Sequence, residues 1–179
     1  MSRIRITGGA WRSRLIDVTD APGLRPTPDR VRETLFNWVG QDLSGWNCLD
    51  LFAGSGILGL EAASRGAAHV TLVEQNRRVY SQLQRNAQIF DCPQLRLVCG
   101  DAVKFVSSAT LNYDLIFLDP PYRQGLLETI APHLAFIAKD RAYIYAEAEH
   151  RIDSLGEWQV IKRGQAGQVF FHLLELEQQ

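Results

Sequence analysis

The sequence lacks several features that would assign it quickly to a class of protein. Its 179 residues carry a net charge of −1 and have a pI near 6.4, so no overall positive charge indicates nucleic-acid binding. No uncharged apolar run approaches the ~18 residues that a membrane-spanning helix needs, and the first residues contain no secretory apolar region. We therefore expect a cytoplasmic protein that binds no membrane.

Residues that commonly ligate metals are also sparse. The three cysteines, Cys48, Cys92 and Cys99, have no paired metal-ligand spacing, and the four histidines are scattered along the chain. Two of the cysteines fall within apolar runs, where a buried and reduced thiol is the ordinary interpretation. We therefore assign no metal to this protein.

Four short apolar runs are each followed within two residues by an acid. In chain order these acids are Asp50, Glu74, Asp101 and Asp119. Helical patterns fill the spaces between the runs, which predicts parallel strands joined by crossover helices. In an open parallel sheet, ligands bind outside the carboxyl ends of the strands. One ligand site at that edge would explain all four acids.

The last two apolar runs, residues 158–163 and 169–174, flank a short glycine-bounded loop and must be antiparallel neighbours. The pattern predicts an α/β, Rossmann-like fold with a seven-stranded, mostly parallel sheet and one antiparallel strand. No linker, repeat or low-complexity stretch divides the chain, so we expect one domain, residues 1–179. Within it, residues 1–24 form a basic N-terminal β-hairpin extension and residues 25–179 the catalytic core.

A glycine-rich turn follows the first of the four runs. Gly54, Gly56 and Gly59 match the G-x-G-x-x-G pattern of dinucleotide sites, a weak signal by itself. Asp50 stands where a cationic amino-acid moiety would need a counter-charge, and no further dinucleotide-domain repeat follows. These two details favour S-adenosylmethionine as the cofactor, with Glu74 accepting hydrogen bonds from its ribose hydroxyls.

Asp101 has two interpretations, between which the sequence does not decide. Its carboxylate could accept a hydrogen bond from the adenine amino group, or it could only cap the helix that begins at Ala102. The residues assigned to the cofactor site are Asp50, Phe52, Gly54, Gly56, Glu74 and Asp101.

The stretch Asp119-Pro120-Pro121-Tyr122 suits an exocyclic amino group on a flat base. The Asp119 carboxylate and the Pro120 carbonyl could each accept one N–H and aim the nitrogen lone pair at an electrophile. The two prolines stiffen the backbone, and Tyr122 offers a face for a base taken out of its stack. We assign catalysis to Asp119, Pro120 and Tyr122; the alternative is that the prolines only end a strand and Tyr122 caps a core.

Arginine outnumbers lysine by sixteen to three, and arginine is the better bidentate phosphate ligand. Residues 3–6 and 11–15 alternate around a glycine-containing turn, which predicts a small hairpin with guanidinium groups on one face. The hypothesis is that this face binds RNA backbone; the alternative is a solvated edge ribbon. The arginines assigned to RNA are Arg3, Arg5, Arg12, Arg14, Arg25 and Arg30.

An Arg-Pro-Thr segment precedes the first sheet strand. Thr27 is expected to cap a helix whose first residue is Pro28. The segment from Arg25 to Arg30 is expected either to close over the cofactor or to contact RNA, and the sequence leaves both open.

The chain resembles the bacterial 16S ribosomal RNA guanine-N2 methyltransferase family, which belongs to the class I S-adenosylmethionine-dependent methyltransferases. The resemblance covers nearly the whole chain, and the Arg-Pro-Thr block together with Asp-Pro-Pro-Tyr carries its specificity. The family often has glycine at the position of Ser13. The matching segments, in order, are residues 8–9, 11–15, 25–27 with 29–33, 50–56 and 119–122.

The resemblance implies transfer of a methyl group from S-adenosylmethionine to the 2-amino group of a guanine in small-subunit rRNA. It implies 16S rRNA as partner, presented in a small ribosomal subunit or an assembly intermediate, and we expect a monomer. An adenine-N6 or other amino methyltransferase on DNA or RNA is one alternative, and a non-catalytic RNA-binding module is another. A protein-glutamine methyltransferase would resemble Asn-Pro-Pro-Tyr, and a nicotinamide-dependent oxidoreductase would need hydride-transfer residues that we do not find.

Overall fold

The structure is a computed structural model that describes residues 1–177. Within them the chain forms five α-helices and ten β-strands. The helices are α1 (Asp29–Val39), α2 (Ile57–Ser64), α3 (Arg77–Gln88), α4 (Ala102–Ser108) and α5 (Leu126–Ile137). The strands are β1 (Ser2–Arg5), β2 (Leu15–Val18), β3 (Asn47–Asp50), β4 (His69–Glu74), β5 (Leu95–Cys99), β6 (Tyr113–Leu118), β7 (Ala138–Ala148), β8 (Ser154–Leu155), β9 (Trp158–Ala166) and β10 (Val169–Leu176). None of the helices described has both the length and the apolar character that crossing a bilayer requires.

The central sheet has the strand order β5-β4-β3-β6-β7-β10-β9-β8. The first five of these strands are parallel, whereas β10 runs antiparallel to β7 and β9 runs antiparallel to β10. The predicted mostly parallel α/β fold with a reversed strand is therefore confirmed. The sheet also has an eighth strand, β8, which pairs with the start of β9. A strand of 2 residues is too short to show the period-2 pattern from which strands are predicted.

The parallel strands are covered on both faces. Along β6, Leu115 and Phe117 pack in the cluster that includes α1, α2 and α3, whereas Ile116 and Leu118 pack in the cluster that includes α4 and α5. Successive side chains of a strand point to opposite faces, so burial on both sides requires apolar residues throughout. Acids then stand out where the strands end.

β9 continues through Gly164, which the sequence placed in the loop. Gly164 pairs with Phe171 of β10, and a Cβ on Gly164 would lie 2.3 Å from the ring Cζ. The aromatic ring thus occupies the space that a side chain would need. Packing against this ring accounts for a glycine inside a strand.

The N-terminal residues form the predicted antiparallel hairpin, in which β1 pairs with β2. The second strand is β2, so the expectation that residues 11–15 form it was wrong: residues 11–14 lie in the connection. Ser13 has a φ of 69° in this connection. This left-handed conformation favours glycine, which accounts for the glycine common at this position in the resembled family.

Hydrogen bonds fix the hairpin to the body of the protein. The backbone N–H groups of Ala10 and Trp11 donate to O and Oγ of Ser64 at 2.8 and 2.9 Å. The Asn86 side chain of α3 donates to Asp17 O at 2.9 Å and accepts from Asp17 N at 3.2 Å. The hairpin is therefore packed against the ends of α2 and α3.

A buried ion cluster lies beneath this contact. Glu61 of α2 forms salt bridges with Arg32 of α1 and with Arg65, and all three side chains are buried. Glu61 Oε1 also accepts hydrogen bonds from N and Oγ1 of Thr7 at 2.8 and 2.9 Å. The Arg65 guanidinium lies over the ring of Phe36, 3.9 Å from its centroid. Because a buried charge is tolerated only when paired and hydrogen-bonded, this cluster ties α1, α2 and the hairpin connection together.

Replacing Arg32 by Met should destabilise the protein by about 2 to 4 kcal/mol. Glu61 would lose one of its buried cationic partners, and Arg5 O would lose the hydrogen bond that Arg32 donates to it. The exposed Arg30 provides a matched control, and Arg30→Met should change the free energy of unfolding by less than about 0.5 kcal/mol. Urea denaturation of both variants measures this difference. Equal effects would show that the buried cluster contributes no net stability.

Candidate active site

Three of the predicted acids meet at the carboxyl edge of the sheet. Asp50 ends β3, Glu74 ends β4, and Asp119 follows β6. The charge of Glu74 raises the pKa of Asp50, and the charge of Asp50 raises that of Asp119. The parallel strands therefore bring these carboxyls within each other's electrostatic influence, as the sequence predicted.

Asp50 is buried and only partly satisfied. Its Oδ2 accepts a hydrogen bond from the backbone N–H of Gly59 at 3.0 Å, whereas its Oδ1 has no partner among residues 1–177. Burial raises the pKa of Asp50 to about 7, and the charges of Glu74 and Glu147 add to the rise against the lowering effect of the Gly59 N–H. Asp50 thus presents a buried acceptor that a cationic hydrogen-bond donor would stabilise.

The glycine-rich turn connects β3 to α2. Gly54 and Gly56 both have positive φ, 55° and 88°, which glycine adopts without strain. A Cβ on Gly56 would lie 2.4 Å from Leu83 Cδ1 of α3, so this glycine also permits close packing of α3. The backbone N–H of Gly54 donates to Glu74 Oε2 at 2.9 Å. The turn is therefore held in place by the acid that ends the next strand.

Glu74 has a structural role that the sequence did not reveal. Besides Gly54 N, it accepts a hydrogen bond from Asn76 N, at 2.9 Å to Oε1. Glu74 therefore fixes the backbone on both sides of the site edge, at Gly54 and at Asn76. A carboxylate oxygen can accept more than one hydrogen bond, so binding of ribose hydroxyls by Glu74 stays a prediction.

Asp101 caps α4, since its Oδ1 accepts a hydrogen bond from Lys104 N at 2.9 Å. A groove of about 370 Å³ lies beside this helix, and its lining includes Gly100, Asp101 and Leu111. Phe52 is half-buried and packs against the α4 and α5 cluster. The structure thus establishes the capping role of Asp101, and its contact with adenine stays a prediction.

Glu147, at the end of β7, is the acid that the sequence analysis missed. It is 6 % exposed, and it lies beside Asp119 because Leu118 of β6 pairs with Ala146 of β7. Burial raises the pKa of Asp119 well above its usual range, and the neighbouring Glu147 raises it further. The signal was available as an acid between two alanines in an apolar strand. The site therefore contains a pair of carboxyls where one was expected.

Two hydroxyl groups donate to the same oxygen of Glu147. Thr27 Oγ1 and Tyr145 Oη each lie 2.8 Å from Glu147 Oε1. The expectation that Thr27 caps α1 was wrong, because α1 begins at Asp29 and has no side-chain cap. The Thr27 hydroxyl instead connects the segment before α1 to Glu147, near the end of β7.

Residues 20–28, here termed the strap, cross the carboxyl edge of the sheet. Besides the Thr27 contact, the strap packs Leu24 over the glycine-rich turn, where a Cβ on Gly54 would lie 2.8 Å from Leu24 Cδ1. Burial raises the pKa of Tyr122, and the charge of Arg25 partly opposes that rise. The strap therefore connects the Gly54 side of the site to the Asp119 side.

The aromatic end of the Asp-Pro-Pro-Tyr stretch faces solvent. Tyr122 is 45 % exposed, whereas Pro120 is buried. Partial burial raises the pKa of Tyr122, and the charge of Asp119 raises it further. Arg123 follows with a φ of 62°, an uncommon conformation for a residue with a side chain. Tyr122 thus combines an accessible ring with proximity to Asp119.

Some of the predicted RNA-binding arginines have partners within the protein. Arg3 pairs with Asp17 at 3.2 Å. Arg14 donates to Ile89 O at 3.1 Å, and its guanidinium lies 4.5 Å from the Phe90 ring centroid. The residues Arg3, Arg5, Arg12, Arg14, Arg25 and Arg30 are all exposed. Their contact with RNA stays a prediction.

Residues 4–175 match the family model described as "Conserved hypothetical protein 95". Ribosomal RNA small subunit methyltransferase D of Escherichia coli strain K12 is 44 % identical over 99 % of this chain and 92 % of its own length. The protein of the same name from Haemophilus influenzae is 37 % identical over 96 % and 93 %. A solved Escherichia coli structure, described as that of a candidate methyltransferase, superposes with a TM-score of 0.88 at 40 % identity and covers 99 % of this chain and 100 % of its own.

The matches extend over nearly the full length of these relatives, and the range that matches the family model, residues 4–175, spans the strap and the strand-end acids. The chain therefore belongs to the Conserved hypothetical protein 95 family, which it shares with the small-subunit ribosomal RNA methyltransferase D proteins.

Proposed function

We propose that this protein transfers a methyl group from S-adenosylmethionine to the exocyclic N2 of a guanine in 16S rRNA. Family membership supports methylation of ribosomal RNA, because the relatives are named for that activity on the small subunit. The observation that carries the proposal is that the buried, partly unsatisfied Asp50 pairs with Phe117 of β6, two residues before Asp119 and its stiff Pro-Pro-Tyr neighbours. Asp119 as amine acceptor and Asp50 as cation acceptor would then belong to one site.

The acids fit a cofactor that carries positive charge. Asp50 Oδ1 would accept from the ammonium of the methionine moiety, Glu74 would accept from the ribose hydroxyls, and Asp101 would accept from the adenine amino group. Phe52, Gly54 and Gly56 would form the wall beside them. Bound S-adenosylmethionine would supply a methyl group made electrophilic by its sulfonium. A cation near several carboxyls lowers their pKa values and so favours their ionised forms.

The Asp-Pro-Pro-Tyr stretch would prepare the amine. An amino group on a purine ring is a poor nucleophile because its lone pair is delocalised. The Asp119 carboxyl and the Pro120 carbonyl would each accept one N–H and localise that pair, while Tyr122 holds the base by its exposed face. Positive charge appears on the nitrogen during transfer, and a carboxylate at ~4 Å with an effective dielectric constant of ~20 would stabilise it by roughly 4 kcal/mol.

The proposed partner is 16S rRNA within a small ribosomal subunit or an assembly intermediate, bound by a monomer of this protein. The exposed arginines of the hairpin and the strap would contact phosphates. An adenine-N6 or other amino methyltransferase on DNA or RNA would use the same acceptor groups, and nucleoside analysis of the product separates that activity. A non-catalytic RNA-binding module would not bind S-adenosylmethionine, which calorimetry measures.

The central experiment incubates the protein with labelled S-adenosylmethionine and either bare 16S rRNA, deproteinised subunits or assembled subunits. Label should appear in N2-methylguanosine after nucleoside analysis.

Asp119→Ala should retain cofactor binding but lose at least about a hundredfold in turnover, the scale of other electrostatic site deletions. Asp114→Ala is the matched control, because Asp114 lies at the opposite end of β6 and pairs with Lys139. Undiminished turnover in Asp119→Ala would exclude Asp119 as the amine acceptor.

Cofactor binding should depend on the ionisation of Asp50. Its pKa is raised to about 7, and an ammonium is bound by the ionised carboxylate, so affinity should fall as the pH drops from about 7.5 to about 5.5. This range also keeps most of the cofactor's amine protonated. Asp50→Asn should bind about tenfold or more weakly at the upper pH and show a flatter profile. Calorimetry at several pH values tests this, with Asp114→Asn as control; parallel profiles for wild type and Asp50→Asn would contradict it.

The hairpin arginines should contribute to RNA affinity through phosphate contacts. Replacing Arg12 and Arg14 together by Gln should weaken binding of rRNA and reduce the salt slope by roughly two contacts. Filter binding over a range of salt concentrations provides the measurement. The exposed Arg141, the fourth residue of β7, serves as the control position. An unchanged slope would leave the hairpin without a role in RNA binding.

A further inference from the structure

We infer that Glu147 is a positioning residue that shares a proton with Asp119, so that the two carboxyls together act as the acceptor for the proton released by the guanine amine. The inference rests on the proposed function and adds to it a group that does not itself touch the base. It gives a role to the buried acid that the Asp-Pro-Pro-Tyr stretch does not include.

The geometry around Glu147 distinguishes its two oxygens. Both hydroxyl donors, from Thr27 and Tyr145, converge on Oε1. Leu118 of β6 pairs with Ala146 of β7, so Asp119 and Glu147, each one residue further along, stand side by side at the carboxyl edge. Two carboxylates both lack a hydrogen-bond donor, so a hydrogen bond between these two groups requires a proton. One oxygen of Glu147 is thus anchored by hydroxyls, and a shared proton would join the group to Asp119.

The surroundings favour a singly protonated pair. Glu147 is buried and Asp119 is partly buried, and two adjacent carboxyls in such surroundings cannot both ionise readily, which raises the pKa of one of them. The ionisable groups whose charge or hydrogen bonding affects this part of the site are Arg25, Asp50, Glu74, Asp119, Tyr122, Tyr145, Glu147 and Glu149. Arg25 is the one cation in this set, and it acts on the exposed Tyr122. The pair therefore carries about one negative charge, which is delocalised over two groups.

The proposed transfer balances without any further reactant. The new N–C bond forms as the C–S bond breaks, and the electrons of that bond go to sulfur, which becomes a neutral thioether. The positive charge moves to the guanine nitrogen, which then gives a proton to Asp119. The pair changes from one proton to two, from a charge of −1 to zero, and later returns the extra proton to water. Without Glu147, the Asp119 carboxyl by itself would have to carry the whole negative charge beside the buried Asp50 before it accepts the proton.

The strap is coupled to this pair through Thr27, which lies 120 positions from Glu147 in the sequence. Thr27 and Glu147 are both buried, so loss of the hydroxyl would leave a carboxylate oxygen with one donor fewer in a dry site. The Arg-Pro-Thr segment would thereby help to orient the acid that orients Asp119. This contact gives the strap a role in catalysis besides covering the glycine-rich turn.

Glu147→Gln provides the sharpest test, since it keeps the shape and the oxygen that accepts from Thr27 and Tyr145 while removing the shared proton. The titration of Asp119, followed by carbon-13 NMR of its carboxyl in the cofactor-free protein, should move to lower pH by about one unit or more. Single-turnover methylation near neutral pH should fall about tenfold or more, and the acid limb of its pH profile should move in the same direction as the NMR titration. Glu149→Gln, which removes an exposed acid from the same segment, should move neither titration.

An Asp119 titration that is unchanged in Glu147→Gln would overturn the inference, as would an Asp119 that titrates in its ordinary range in the wild type. If the wild type bound S-adenosylmethionine but methylated no RNA, the proposed function would fail, while the NMR titration would still decide whether the carboxyls share a proton.

Thr27→Val and Thr27→Ser test the strap: Ser should retain the single-turnover rate and Val should lose several-fold, since only Ser keeps the hydroxyl. Equal rates for these two variants would remove Thr27 from the inference.

Discussion

Several carboxyl groups lie together at the carboxyl edge of the sheet, and the free-energy cost of removing them from water constrains the chain around them. A buried carboxyl must accept hydrogen bonds, pair with a cation or take up a proton. The structure shows the first of these solutions, and the raised pKa values of Asp50 and Asp119, caused by burial, favour the third. The donors to these acids come from the glycine-rich turn, α2, the loop after β4, β7 and the strap: Gly54, Gly59, Asn76, Tyr145 and Thr27.

The same constraint explains why the site suits a cationic ligand. Asp50 keeps one buried oxygen without a partner among residues 1–177, and its pKa is raised to about 7. A ligand with an ammonium and a sulfonium would offset the repulsion among the carboxylates, because its positive charges attract them. The buried carboxyls that destabilise the site in isolation would thus provide affinity for a cationic ligand.

Arginines of this protein serve two different purposes. Arg32 and Arg65 are buried and neutralise Glu61 beneath the hairpin, whereas Arg12, Arg25 and Arg30 are exposed. Buried pairing fixes the position of the hairpin connection on α2, and a fixed hairpin would present its exposed guanidinium groups at a constant distance from the site. An RNA-binding surface of this kind would depend on the buried cluster as well as on the exposed charges.

Local patterns were sufficient for much of the fold and part of the site. Apolar runs separated by helical periods predicted the parallel strands, and the acids after these runs predicted which edge carries the site. The glycine-rich turn and the Asp-Pro-Pro-Tyr stretch were recognisable because their residues are adjacent in sequence. Patterns of only one or two residues were not sufficient. The short strand β8 was not predicted, and Thr27 was wrongly assigned as a helix cap because Pro28 suits the first position of a helix.

Tertiary structure alone decided the contacts between distant segments. Glu147 could be recognised as a partner of Asp119 only once β6 and β7 were paired, and Thr27 only once the strap crossed the sheet edge. Asp50 likewise differs from an ordinary strand-end acid through its burial and its unpartnered oxygen. The amino-acid sequence determined which strands form and which chemical groups stand at their ends, because these depend on neighbours along the chain. The protonation and orientation of those groups depend on desolvation and on neighbours in space, which exist only after the chain has folded.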